Sequence, residues 1–111
     1  MEEIRWADFE RVDIRVGKIV EVKAFPEARN PSYRLSIDFG QELGKKRSSA
    51  QITQYAVEEL IGRQVLCVVN FPPKQIATAI SEVLVLGVPA KDGSVVLLST
   101  EREVPLGGRV F

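Results

Sequence analysis

The run from Val12 to Val22 constrains the fold more than any other stretch of the chain. Val12, Ile14 and Val16 alternate with Asp13 and Arg15, and Val20 and Val22 flank Glu21, but Ile19 falls out of phase just beyond Gly17. Period-two alternation puts one set of side chains on one face of a strand. A glycine inside so long a strand marks a bulge or sharp bend where a sheet curls, so Gly17 is the expected bend. Composition agrees with strands throughout. Fifteen valines and eight isoleucines stand against nine leucines, and β-branched side chains favour sheets over helices.

The strand signal recurs along the chain. Tyr33, Leu35, Ile37 and Phe39 alternate strictly with Arg34, Ser36 and Asp38, and Gly40 to Gly44 follows as a turn. Residues 45–50 are polar, basic and extended. Thr53 is the expected N-cap of a short helix through Leu60, with Gly62 past its end. Gln64 to Val69 is nearly all apolar, which fits a strand buried on both faces. Asn70-Phe71-Pro72-Pro73-Lys74 is a stiff loop, because consecutive prolines remove two donors. Ser81–Val88 and Val95–Leu98 read as two further strands joined through an Asp92-Gly93 turn, and a helical turn over Asp8–Arg11 precedes everything. Five or six strands with one helix between the third and fourth is the order of an all-β OB-fold, a five-stranded Greek-key barrel, here with short terminal extensions. A sandwich of similar size is the competing architecture, although it usually carries more strands and no mid-chain helix.

Length limits the chain to one domain over residues 1–111, since 12.4 kDa suffices for one core and not for two. There is no histidine and a single cysteine. A Ser-His-Asp or Cys-His nucleophile cannot be built, nor can a His/Cys zinc site. Cys67, inside an apolar strand, reads as an inert core residue. Gly40-Gln41-Glu42-Leu43-Gly44-Lys45 lacks the spacing of a phosphate loop. Neither Glu58 with Glu59 nor Glu101 with Glu103 has a convergent partner. No catalytic residue, metal or cofactor is expected. A lone thiol fits a reducing compartment, no apolar run reaches the ~18–20 residues that cross a bilayer, and Met1-Glu2-Glu3 is unlike a signal peptide. A cytoplasmic protein without membrane insertion is expected.

Binding is better supported. Fifteen Lys+Arg balance fifteen Asp+Glu, which argues against a non-specific grip on nucleic acid through net charge. Distribution is less even: between Glu42 and Glu58 stand Lys45, Lys46 and Arg47 with no acid. On a strand, Lys45 and Arg47 share one side and Lys46 takes the other, with Ser48 and Ser49 adding hydroxyls. Such a strand can follow a phosphate backbone, or it can be an edge whose lysines prevent aggregation. The proline loop either holds Asn70 and Lys74 at fixed separation for a ligand, or is a structural turn with Phe71 packed over the barrel end. Five Phe, two Tyr and one Trp are few for a stacking platform, so recognition of a folded RNA by shape fits better than single-strand coating.

Six motifs in order then point to a family. Phe9-Glu10-Arg11-Val12-Asp13-Ile14-Arg15-Val16-Gly17-Lys18-Ile19 resembles the opening strand of the structure-specific tRNA-binding domains, which occur free-standing and appended to aminoacyl-tRNA synthetases. Phe25-Pro26-Glu27-Ala28-Arg29, Ile37-Asp38-Phe39-Gly40 and Ser48-Ser49-Ala50-Gln51-Ile52-Thr53 resemble the free-standing CsaA-type branch of export-related chaperones. So do Val68-Val69-Asn70-Phe71-Pro72-Pro73 and Ser81-Glu82-Val83-Leu84-Val85-Leu86-Gly87. The resemblance runs from Phe9 to Phe111. It implies an OB-fold barrel, a homodimer, a tRNA-binding surface on each protomer, and unfolded or pre-secretory proteins as partners. Carried over by position, it implies tRNA contacts at Lys45, Lys46, Arg47, Ser48, Asn70, Lys74, Ser81 and Glu82. The synthetase-appended branch typically has Gly-Met after the serine, where this chain has Glu82-Val83; an acid at that point adds repulsion toward phosphate.

Two functions stay open: a module that binds tRNA by shape, and a chaperone that holds apolar, extended segments of client proteins. A chaperone needs exposed apolar surface. The acid-free window from Asn70 to Ser81 offers Phe71, Pro72, Pro73, Ile76 and Ile80. Ile4, Trp6 and Phe9 precede the first strand, and Val104, Leu106, Val110 and Phe111 follow the last. A barrel closed by its own strands has no evident place for both sets, and a two-fold dimer interface would cover them.

Overall fold

The computed structural model describes residues 1–111. Strand β1 (Ile14–Ala24) belongs to both halves of the sheet. Its first part pairs antiparallel with β4 (Gln64–Val68), from Ile14 opposite Val68 to Lys18 opposite Gln64. Its second part pairs with β2 (Tyr33–Asp38), ending at Ala24 opposite Tyr33. With β3 (Lys45–Ala50) beside β2 and β7 (Leu84–Val85) beside β4, the order is β3-β2-β1-β4-β7. The sheet then nearly closes on itself, because the Glu82 N–H donates to the Arg47 carbonyl at 2.8 Å across the seam. One curled sheet whose first and last strands meet is the OB-fold-like all-β barrel, not a sandwich.

The bend in β1 lies elsewhere than the sequence suggests. Register shifts between Ile19 and Glu21, so that Val20 is the extra, exposed residue of the bulge. Gly17 is three residues away and buried. A Cβ on it would lie 2.5 Å from Ile37 Cγ2 and 2.7 Å from Phe39 Cε1. Its role is space: the core of Ile19, Leu35, Ile37, Phe39, Leu60, Val65 and Cys67 presses against the β1 backbone there.

The helix α2 (Val57–Leu60) sits between β3 and β4 as expected, but it begins after the Thr53 cap that the sequence offers. Tyr55 explains the delay, because its carbonyl accepts the Tyr33 hydroxyl at 2.9 Å and its own hydroxyl accepts the Leu97 N–H at 3.1 Å. The helix starts once Ala56 is extended, and the Ala56 N–H donates to Glu59 Oε1 at 2.8 Å. The expected turn at Asp8–Arg11 is helix α1, which spans Trp6–Glu10.

Residues 81–88 do not form one strand. Val83 turns into the core and its carbonyl accepts the Ser48 and Ser81 hydroxyls at 2.8 and 3.2 Å. This splits the run into β6 (Ala79–Ser81), β7 and β8 (Gly87–Pro89). β6 pairs with β5 (Lys74–Ile76) in a hairpin whose β6 strand lies beside β3, with Ala77 at its tip at φ 51°. β8 pairs with β9 (Val95–Leu97) across the expected Asp92-Gly93 turn, where Gly93 has φ 86°. The C-terminal segment lies along the start of β1: Val16 N–H donates to Gly108 O at 2.9 Å, and Val110 N–H to Ile14 O at 2.8 Å.

Candidate nucleic-acid interface

Strand register builds the site. Three cross-strand rows run over the outer face of β1, β2 and β3: Lys18–Asp38–Lys45, Glu21–Ser36–Arg47 and Lys23–Arg34–Ser49. Five cations (Lys18, Lys23, Arg34, Lys45 and Arg47) thus share one face with two carboxylates, Glu21 and Asp38. Glu103 reaches Lys18 at 3.9 Å and Glu82 reaches Arg47 at 3.0 Å, so cations outnumber acids on this face of a neutral chain by a small margin. Lys23 lies directly opposite Arg34, a like-charge pairing that destabilises a sheet unless an anion relieves it. The Arg34 guanidinium rests 5.7 Å from the Phe25 ring centroid, which holds the cation without neutralising it.

Lys23, Arg34, Ser36 and Arg47 line a cleft of about 160 Å³, walled on its far side by Thr78, Ala79 and Ile80 of the β5–β6 hairpin. Glu21 is the acid at its floor, 3.8 Å from Lys23 Nζ and 3.5 Å from the Ser36 hydroxyl. Across the seam, Glu82 Oε1 accepts both the backbone N–H and the Nε–H of Arg47, each at 3.0 Å. Burial alone would push the Glu82 carboxyl up, but the Arg47 hydrogen bonds, with the charges of Arg47 and Lys46, hold it below its ordinary value.

The residues singled out from sequence divide among several settings. Lys45 and Arg47 lie on the outer face, whereas Lys46 takes the opposite parity, beside Ile37, and is half-buried. Ser48 is 3 % exposed, and with Ser81 it is occupied in the barrel seam. Asn70 is also occupied: its Oδ1 accepts the Asp13 N–H at 3.0 Å and its Nδ2 donates to Arg11 O at 2.8 Å, which ties the chain entering β1. Lys74 is exposed on the hairpin, opposite Ser81. Lys18, Lys23, Arg34 and Ser36 join the face unannounced. The alternation of Arg34, Ser36 and Asp38 was the available signal, but which side chains of β1 and β3 lie beside them depends on register.

The hairpin separates two environments. On its other side, Phe71, Pro72, Ile76 and Leu84 line a hollow of about 320 Å³ together with Lys74 and Glu82. A second hollow of about 310 Å³ adjoins it, sharing Ser49, Ile76 and Leu84, and continues past Ile52, Val95 and Leu97. Together they form an apolar groove. The Ser49 hydroxyl at their shared wall is buried without a hydrogen-bond partner. Pro73 is exposed beside the groove, and Ile80 faces the cationic cleft instead.

At the terminal pole, Trp6, Phe9, Val12, Val110 and Phe111 line a hollow of about 340 Å³. Trp6 is 70 % and Phe111 103 % exposed, and Ile4 nearby in sequence 71 %, so the chain by itself leaves these apolar groups uncovered. Val104 and Leu106 are half-buried, and their backbone is tied to the barrel. Val104 exchanges two hydrogen bonds with the Gln64 amide, and the Leu106 carbonyl approaches Gly40.

Fold and face together define an OB-fold-like barrel with a cationic sheet surface. The family model described as "Putative tRNA binding domain" matches residues 14–109, and the chain belongs to that family. It is a CsaA-type member. The crystal structure of a CsaA chaperone from Picrophilus torridus is 52 % identical, with a TM-score of 0.92 over 98 % of this chain and 100 % of that one. That of chaperone CsaA from Bacillus anthracis is 50 % identical, also at 0.92, over 99 % and 100 %. A methionine–tRNA ligase of Pyrococcus horikoshii is 37 % identical over 111 residues; these cover 99 % of this chain but only 15 % of the ligase. The family is that of a binding domain, and no helix is long and apolar enough to cross a membrane.

Proposed function

We propose that the chain acts, as one domain, in a cytoplasmic homodimer that binds tRNA on the outer face of β1, β2 and β3. In the same proposal it is an export-related chaperone: the adjoining apolar groove holds unfolded or pre-secretory proteins, with no catalytic step of its own. The observation that carries the reading is the set of cross-strand rows, which gather five cations on one face of a neutral chain. A backbone recognised by charge and shape needs such a face more than it needs aromatic stacking. The chaperone part is supported by the groove along Phe71, Ile76 and Leu84 and by the similarity to two proteins named CsaA chaperones. A free-standing tRNA-binding protein without a chaperone role is the second reading. The cationic cleft favours it, because holding apolar segments does not require one.

Binding of tRNA and of an unfolded peptide to one sample, each followed against salt, tests both. About three phosphate contacts give a slope of roughly −2.1 to −2.7 in log K against log salt, so tRNA affinity falls about 20- to 40-fold from ~50 to ~200 mM. Changing Lys23, Arg34 and Arg47 to alanine removes most of that dependence. Peptide binding stays flat with salt and is lost in Phe71→Ala/Leu84→Ala. Unchanged tRNA binding in the triple variant refutes the RNA site, and absence of peptide binding leaves the second reading. Sedimentation tests the dimer, which requires twice the 12.4 kDa protomer mass; a 12.4 kDa species at micromolar concentration refutes it.

A further inference from the structure

We propose that Glu82 is a positioning residue, holding Arg47 so that its two terminal amino groups face a bound RNA phosphate as a preset fork. The proposal rests on the RNA-binding reading above. Its sign is opposite to the repulsion that an acid beside a basic strand suggests.

One oxygen of Glu82 takes both the backbone N–H and the Nε–H of Arg47, and the Glu82 N–H returns a bond to the Arg47 carbonyl. Three bonds therefore fix this pair at the barrel seam. Nη1 and Nη2 of Arg47 make no hydrogen bond within the chain, and the Arg47 side chain is 62 % exposed against 25 % for Glu82. Arg15 shows the alternative use of the same group. Its Nε and Nη2 donate to Asp13 and its Nη1 to the Gly107 carbonyl, leaving the side chain only 18 % exposed. Arg15 is consumed in fastening the C-terminal segment. Arg47 keeps its fork free, and lines the cleft with Lys23 and Arg34.

A guanidinium edge with two parallel N–H groups matches two phosphate oxygens. An arginine already held in that orientation loses less side-chain freedom on binding. The Glu82 charge subtracts from the local field, but solvent and salt around this partly exposed pair screen that cost. The orienting bonds are short and directional, so salt weakens them less than it weakens the longer-range field.

Binding of a fluorescently labelled tRNA transcript at fixed salt tests the idea, with circular dichroism melts to verify folding. Glu82→Ala removes a negative charge, so attraction by charge alone predicts tighter binding. Positioning predicts binding about three- to tenfold weaker, the cost of ordering a freed arginine. Glu82→Gln keeps an Oε1 acceptor and recovers affinity to within about twofold of the parent. Arg47→Lys, which keeps the charge without the fork and leaves the seam backbone intact, loses a similar three- to tenfold. Tighter or unchanged binding by Glu82→Ala, equal loss in Glu82→Gln, or full affinity in Arg47→Lys overturns the proposal. Unchanged affinity in the Lys23, Arg34 and Arg47 triple alanine variant refutes the interface as a whole, a result distinct from these three.

Discussion

Gly17→Ala tests why β1 carries a glycine. If the residue serves the bend, alanine costs little, because the bulge lies at Val20 and Gly17 takes no left-handed conformation. If it serves space, alanine is severe: the new methyl meets Ile37 Cγ2 at 2.5 Å and two Phe39 ring carbons at 2.7 and 2.9 Å. Ile37 and Phe39 are 0 % and 1 % exposed, so neither can swing into solvent. Overpacking of a closed core costs typically 1–3 kcal/mol, and three such contacts on two rigid side chains put this case at about 3 kcal/mol. With about 2.1 cal/mol/K of unfolding entropy per residue over 111 residues, that is a Tm lower by about 13 °C. Gly62→Ala is the control. Gly62 sits at φ +85° with open space around it, so only left-handed strain applies, about 1 kcal/mol. Urea unfolding at matched protein concentration reads both, the midpoint shifting at constant slope. Gly17→Ala within about 0.5 kcal/mol of the parent, or milder than Gly62→Ala, refutes close packing against β1.

Other outcomes follow from the seam and the core. Ser48 and Ser81 both donate to the Val83 carbonyl, so Ser48→Ala alone costs about 1 kcal/mol. The double alanine variant exceeds the sum of the singles by at least ~0.5 kcal/mol, because only then is a buried carbonyl orphaned. A double-mutant cycle in urea checks this, and simple additivity contradicts it. Burial pushes the Cys67 thiol up to about 12, so a disulfide reagent at about pH 8 labels it only as fast as the protein opens; rapid labelling of folded protein counts against the placement. Glu82 titrates below its ordinary 4.5 in the folded chain. Its contribution is complete above that value and is lost as pH falls through the lower folded value. Acid unfolding of Glu82→Gln therefore shows a shallower loss of stability below about pH 4.5, by under ~1 kcal/mol.

The strands that were legible are those whose cause is local. Alternation over Tyr33–Phe39 and the basic run at Lys45–Ala50 depend on nothing beyond neighbouring residues, and both elements lie where expected. The breaks were not legible, because each is made by a distant partner. Residues 81–88 look continuous until Ser48, 35 residues earlier, takes the Val83 carbonyl. The helix expected from Thr53 is delayed because Tyr55 is tied to Tyr33 and Leu97. Gly17 was legible as a special residue, but a bend and a lack of room call for the same amino acid, and only the position of Ile37 and Phe39 separates them.

The same logic governs the site. A neutral total hid the cationic face, because charge along the chain does not reveal charge across strands. Lys23 and Arg34 are eleven positions apart, yet they stand opposite each other through the β1–β2 register. Asn70 shows the converse. An amide in a stiff proline loop has the chemistry of a ligand contact, but both ends of it satisfy backbone groups of Arg11 and Asp13. Leaving such groups unpaired costs more than an exposed ligand contact returns, so polar side chains near a chain crossing are claimed by the fold first. Those left over are long, exposed and charged, as Lys23, Arg34, Lys45 and the free edge of Arg47 are. In a barrel this small, the binding surface is therefore the set of polar groups that closure of the sheet has not used.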